Sequence, residues 1–212
     1  MARTFVAIPC FDTVDTLFFS SYMNLEQTPD MYAGMVMNAY VHDARNMLAN
    51  WAIEDGFDRI MWIDDDMVLP KDAILRLAAD VDDGLDYVAG LYFTRKGDVE
   101  PTIKKSLYAR KDSEGNLSGK AEAYADYPRD SLFPVKGSGL GCTMMTVDIV
   151  REVMERYPRP FDPIPGYGED LSFCLRLEEL GIPMYCDSRV KCGHVGRKIV
   201  TEEDYLAGLV LP

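Results

Sequence analysis

Short apolar runs alternate with segments of helical periodicity through the first ninety residues, and this alternation constrains the fold more than any other feature. Thr4 to Ile8 reads as a buried strand that stops at Pro9-Cys10. From about Tyr40 to Asp55, apolar Val41, Ala44, Leu48, Trp51 and Ala52 recur at helical spacing, and Gly56 supplies a terminator. Arg59 to Ile63 forms a second strand. Pro70-Lys71-Asp72 opens another helix with Ile74, Leu77 and Ala78 on one face, and Tyr87 to Leu91 makes a third strand. The β-α-β-α-β order predicts an α/β fold with a mostly parallel sheet, flanked by helices and joined by right-handed crossovers. Phe18, Phe19, Tyr22 and Tyr32 show no clear period, so the segment after Cys10 reads as a loop.

The middle of the chain departs from this pattern. Thr102 to Ala109 and Lys120 to Tyr124 flank the polar turn Asp112-Ser113-Glu114-Gly115-Asn116, which predicts an antiparallel hairpin at a sheet edge. Phe133 to Lys136, the run Gly137-Ser138-Gly139-Leu140-Gly141 and a strand at Cys142 to Val147 follow. Val150, Val153, Met154 and Tyr157 then form the stripe of a helix that Pro158 and Pro160 end. Glu169 and Asp170 read as the first turn of a helix capped by Gly181, and a short strand at Pro183 to Cys186 leads to Gly193-His194-Val195-Gly196.

Length and composition narrow the setting. At 212 residues and 48% hydrophobic content the chain has material for one domain with a sizeable core, and no repeat, low-complexity tract or Gly/Ser linker divides residues 1–212. No apolar run approaches the roughly 18 residues of a membrane span, and a cytoplasmic protein is expected. Five cysteines, odd in number and without a CxxC pair, read as buried reduced thiols. A net charge of −13 opposes a broad nucleic-acid or anionic-membrane surface.

The chemistry concentrates at Asp64-Asp65-Asp66, directly after the second strand. Ligands of open α/β sheets bind outside the carboxyl ends of strands. Alternate residues of an extended chain face the same way, so Asp64 and Asp66 can share one cation while Asp65 faces elsewhere. Hard oxygen donors suit Mg²⁺ or Mn²⁺. The competing reading is a solvated acidic turn.

The ordered set of a strand ending in Pro9, Ala44-Arg45-Asn46, the aspartates, the glycine-rich turn, Glu169-Asp170 and a late His194 resembles the GT-A nucleotide-sugar glycosyltransferases of the DxD, family-2-like type. The resemblance spans roughly residues 3 to 197. It implies a single Rossmann-like GT-A domain using Mn²⁺ or Mg²⁺ and a nucleoside-diphosphate sugar, with UDP favoured and GDP open. It implies cation ligation by Asp64, Asp66 and His194, and a donor site built with Pro9, Arg45, Asp64, Asp65, Gly139 and Gly141. Asp170 becomes the base that takes the acceptor hydroxyl proton, with inversion at the anomeric carbon, and Glu169 an acceptor-orienting partner. The acceptor is a hydroxyl compound of unknown class, and the shortness of the chain leaves room for a homo-oligomer. The stretch Thr201 to Pro212 is placed to cover the site or pair with a neighbour.

Blander readings stand beside these. Glu169 and Asp170 also serve as helix-capping residues, and a helix N-terminus lowers a carboxylate's pKa, against basicity, unless burial or a neighbouring charge offsets it. His194 also fits an ordinary turn histidine, Arg45 a helix-face arginine, and the glycine run a flexible turn. Two rival functions remain. Asp64-Asp65-Asp66-Met67-Val68 resembles locally the nucleophile motif of haloacid-dehalogenase-like phosphatases, although a full strand-helix unit precedes it here. A non-catalytic nucleotide- or sugar-binding protein would keep the pocket without the base.

Overall fold

The computed structural model describes residues 2–95, 99–111 and 117–196. The first half runs β1 (Thr4–Pro9), α1 (Thr16–Met23), β2 (Met31–Val36), α2 (Val41–Glu54), β3 (Arg59–Ile63), β4 (Met67–Val68), α3 (Ala73–Asp82) and β5 (Tyr87–Leu91). The second half runs β6 (Lys104–Lys111), β7 (Leu117–Ala123), β8 (Leu132–Val135), β9 (Cys142–Thr146), α4 (Val147–Arg156), α5 (Glu169–Leu180), β10 (Met184–Lys191) and β11 (Gly193–His194).

Seven strands form one sheet in the order β2-β1-β3-β9-β5-β10-β8. Strands β2, β1, β3, β5 and β10 share a direction, and β9 and β8 run against it. The sheet is therefore mostly parallel, as the alternation predicts. Strand β9 separates β3 from β5, a long-range pairing that local periodicity does not encode. Strands β1, β3 and β5 are buried along their whole length. Burial on both faces explains why they read as continuous apolar runs. In β3, Ile60 and Trp62 join one core cluster while Met61 and Ile63 join the other, across the sheet. Each such side chain contributes about 1.5–3 kcal/mol on burial. The cluster around Trp62 also contains Leu48 and Ala52 of α2, Val150 of α4 and Phe173 of α5. The opposite cluster contains Phe18 of α1 with Ile74 and Leu77 of α3.

Two elements depart from the expected loop after Cys10. Helix α1 is capped by the Asp15 side chain, which accepts from the Leu17 N–H at 2.8 Å, and β2 pairs in parallel with β1. Both escape periodicity analysis for physical reasons. Helix α1 buries Phe18 but exposes Leu17, Phe19 and Met23, so apolar residues surround it. Strand β2 lies at the sheet edge with little burial.

The hairpin β6–β7 forms, yet it makes its own two-stranded sheet. The antiparallel edge of the main sheet is β8 instead. Lys104 links the hairpin to Gly137, and the Tyr167 hydroxyl docks on the Tyr108 and Lys120 carbonyls at 2.7 and 2.6 Å. Its predicted turn, Asp112 to Asn116, lies outside the described residues, as does the stretch Thr201 to Pro212. Gly56 (φ 67°) and Gly181 (φ 74°) adopt the left-handed conformation expected of helix terminators. All five cysteines are free and buried. No helix among the described residues is long and apolar enough to cross a membrane.

Candidate functional site

A cleft of about 590 Å³ opens over the carboxyl ends of four parallel strands. Strand β1 delivers Pro9 and Cys10, β3 delivers Asp64, Asp65 and Asp66, β5 leads to Tyr92, Thr94 and Arg95, and β10 leads to His194. Tyr40, Thr102 and Asp170 add further polar groups to the lining. Strand ends converge here because parallel strands bring their carboxyl ends to one rim of the sheet.

Three distant segments hold the backbone of the acidic turn. The Asp64 N–H donates to the Gly141 carbonyl at 3.1 Å, the Asp65 carbonyl accepts from Asp15 at 3.0 Å, and the Asp66 carbonyl accepts from Val195 at 2.9 Å. The small antiparallel pair β4–β11 closes beside it and sets His194 opposite Met67. These two-residue strands have no signature in the sequence.

Each carboxylate has a different neighbour. Asp64 accepts from Arg45 Nη2 at 2.7 Å, and Arg45 Nε donates to Glu169 at 3.2 Å. Asp66 pairs with Arg95, and its other oxygen lies 3.5 Å from His194 Nε2. Asp65 meets Cys10. Burial pushes the Asp65 carboxyl up, and Asp64 adds to this against the hydrogen bond from Cys10. Burial, reinforced by Asp65, raises the Cys10 thiol to about 11.

His194 is oriented from behind. Its Nδ1 lies 2.8 Å from the Phe93 carbonyl, which only accepts, so Nδ1 carries a proton and Nε2 faces Asp66. Nε2 and an Asp66 carboxylate oxygen lie 3.5 Å apart. A proton or a cation satisfies that arrangement, and histidines that ligate metals are held by their other nitrogen in this way. Asp64 lines the same cleft, and two carboxylates with one imidazole are the donor types that suit Mn²⁺ or Mg²⁺. Among the described residues no three metal-binding groups lie close enough to form a ready-made cage. The other histidine, His42, pairs with Asp43 at 3.6 Å and lies outside the cleft lining.

Arg45 corrects an expectation. It does not line the cleft. Only 1% of its side chain is exposed, and it lies across the Trp62 ring at 5.3 Å. Burial alone would lower its pKa, but Asp64 and Glu169 outweigh that and hold it above its ordinary value. It clamps two carboxylates from behind, and Glu169 likewise sits behind the lining.

Gly139 and Gly141 are also one step removed from the lining. A Cβ at Gly139 would overlap the Tyr92 hydroxyl, and one at Gly141 would lie 3.1 Å from Asp64 Oδ2, Met67 Sδ and Tyr92 Cζ. The glycines make room for Tyr92, whose hydroxyl accepts from the Gly141 N–H at 3.0 Å. Burial first, then Asp64 and Asp170, raises the Tyr92 phenol well above its usual range. The phenol stays neutral between the two carboxylates.

Asp170 occupies the first turn of α5 and accepts from the Leu171 N–H at 2.7 Å. Burial, aided by the charge of Glu169, outweighs that hydrogen bond and the pull of Arg45, and raises the carboxyl to about 6. Helix-end stabilisation is present and loses.

Sequence reasoning missed Cys10, Tyr92, Thr94, Arg95 and Thr102. Their common signal is position: Cys10, Tyr92, Thr94 and Arg95 lie within four residues of a strand's carboxyl end. Arg95 also lines a second cleft of about 450 Å³, with Asp12, Asp15, Asp65 and Asp66, which adjoins the first.

No family model and no curated protein matches this sequence. Solved structures do resemble it. A197 from STIV aligns with a TM-score of 0.64 at 20% identity, over 92% of this chain and 86% of that one. GalNAc-T7, solved with UDP, GalNAc and Mn²⁺, aligns with a TM-score of 0.61 at 10% identity, over 93% of this chain and 44% of that one. This chain thus spans less than half of the GalNAc-T7 structure. At these identities the likeness is one of fold, and the chain has a GT-A-like mixed α/β fold.

Proposed function

We propose that this protein is a metal-dependent glycosyltransferase that moves a sugar from a nucleoside diphosphate, UDP favoured, to a hydroxyl acceptor. The observation that carries the reading is the meeting of His194 Nε2 and Asp66 beside Asp64, in a cleft that also holds Asp170. The GalNAc-T7 structure with UDP and Mn²⁺ supports the ligand class by analogy of fold.

Asp64, Asp66 and His194 would hold Mn²⁺ or Mg²⁺. Bound there, the ion would act as a Lewis acid that stabilises the charge on the departing diphosphate. Asp170 accepts the proton of the acceptor hydroxyl as its oxygen bonds to the anomeric carbon, and the bond from that carbon to the diphosphate oxygen breaks. A carboxyl near 6 is mostly ionised at neutral pH and still basic enough to take a proton. Direct displacement inverts the anomeric configuration. Arg45 holds Asp64 in place through its hydrogen bond, and Tyr92 walls the space between Asp64 and Asp170. The phosphatase alternative asks Asp64 to act as a nucleophile. Arg45 already engages one Asp64 oxygen at 2.7 Å, which favours the ligand role.

The test is incubation with UDP- and GDP-sugars and Mn²⁺. Release of nucleoside diphosphate, even slowly to water, is expected, with a product of inverted configuration by NMR. Hydrolysis of simple phosphomonoesters, or stabilisation by nucleotide without any turnover, would overturn the proposal.

A further inference from the structure

Among the described residues, the lining of the main cleft carries Asp64, Asp65, Asp66 and Asp170 against one guanidinium, Arg95. Four carboxylates against one guanidinium give an acidic surface that opposes an approaching diphosphate. Among the described residues, the guanidinium of that lining is spent on Asp66. We infer that Arg95 is an exchangeable counter-ion, holding Asp66 until a divalent cation replaces it and then turning to the donor diphosphate. The inference rests on the metal-dependent transferase reading and assigns that site an additional anion-binding residue and an order of binding.

Geometry supports movement of the side chain alone. The root of Arg95 is fixed, since Phe93 bridges to Pro101 and the Thr94 N–H donates to the Glu100 carbonyl at 2.8 Å. The side chain itself is 38% exposed and lines both adjoining clefts, so it has space on either side of Asp66. Among the described residues its other hydrogen bond is long: Nη1 donates to the Val195 carbonyl at 3.2 Å. Arg45 makes the contrasting case. Buried and clamped between Asp64 and Glu169, it has no comparable freedom.

Arg95 and the cation compete for Asp66, so the guanidinium weakens metal binding to the free protein. Once displaced it faces a phosphate-bearing ligand, for which its planar fork is suited. One residue therefore acts with opposite sign on two equilibria.

The test is calorimetric titration of the whole chain with Mn²⁺ alone, then with UDP at saturating Mn²⁺, for the parent, Arg95→Met, Arg95→Lys and Asp66→Asn. Arg95→Met is expected to bind Mn²⁺ roughly twofold to fivefold tighter than the parent, the range for releasing a partly exposed ion pair. The same variant should bind UDP at least about tenfold more weakly, as loss of a charged hydrogen-bond donor predicts. Arg95→Lys, which keeps the charge, should fall between on both. If Arg95→Met leaves Mn²⁺ affinity unchanged or weaker while Asp66→Asn lowers it, the exchange is refuted and the metal site stands. If Asp66→Asn binds Mn²⁺ like the parent, the metal-site reading itself fails and takes the exchange with it.

Discussion

Replacing Asp170 by asparagine should make the protein more stable and nearly inactive. The raised carboxyl, about 6 against an ordinary 3.8, means that folding forces an ionised group into a place that prefers it neutral. A displacement of about two on the pKa scale, at about 1.4 kcal/mol for each, amounts to about 3 kcal/mol of destabilisation at neutral pH. The sign follows from linkage. Below pH 3.8 both folded and unfolded chains carry the proton and the penalty is absent. It grows between pH 4 and 6 and is complete above 6. Asparagine never ionises, keeps the oxygen that accepts from the Leu171 N–H, and escapes the penalty. Urea denaturation at pH 7.5 should therefore find Asp170→Asn about 2–3 kcal/mol more stable than the parent, with the gain shrinking to a few tenths near pH 3.5. Transfer should fall by roughly two to four orders of magnitude while nucleotide affinity holds. In the parent, turnover should fall as pH drops through about 6. A variant no more stable at pH 7.5, or equally stabilised at both pH values, would refute the argument that burial and Glu169 raise this group.

Other perturbations probe the supporting shell. Arg45→Met removes a buried cation that two carboxylates share, and should cost about 3 kcal/mol by urea denaturation. An unchanged midpoint would mean that the pair is structurally idle. Gly139→Ala places a methyl group on the Tyr92 hydroxyl and should cost about 1–3 kcal/mol through overpacking. Adding Tyr92→Phe to that variant should recover part of the loss in a double-mutant cycle, and strict additivity would exclude the clash as its cause.

Much of the fold was legible because it is built locally. Continuous apolar runs marked β1, β3 and β5, and stripes marked α2, α3 and α4. Gly181 marked the end of α5. Strands β4 and β11 were not legible because two residues have no period, and β9 gave no sign that it would enter the sheet between β3 and β5. The site divides on the same line. The aspartates, Asp170 and His194 stand out by type and place, and the cleft brings them together. Arg45 reads as a donor-site residue but lies behind the cleft, where the carboxylates of Asp64 and Glu169 compensate its burial. Arg95 has no motif, and its pairing with Asp66 exists only once β5 and β3 are neighbours of one rim.

The central claim is that Asp64, Asp66 and His194 hold one divalent cation against a donor diphosphate. A crystal structure with Mn²⁺ and UDP tests it most directly. The account predicts an ion bonded to oxygens of Asp64 and Asp66 and to His194 Nε2, with the UDP phosphates completing its shell and His194 Nδ1 still on the Phe93 carbonyl. A complete shell that leaves out Asp66 and His194, or UDP bound in the cleft with no cation beside it, would contradict it.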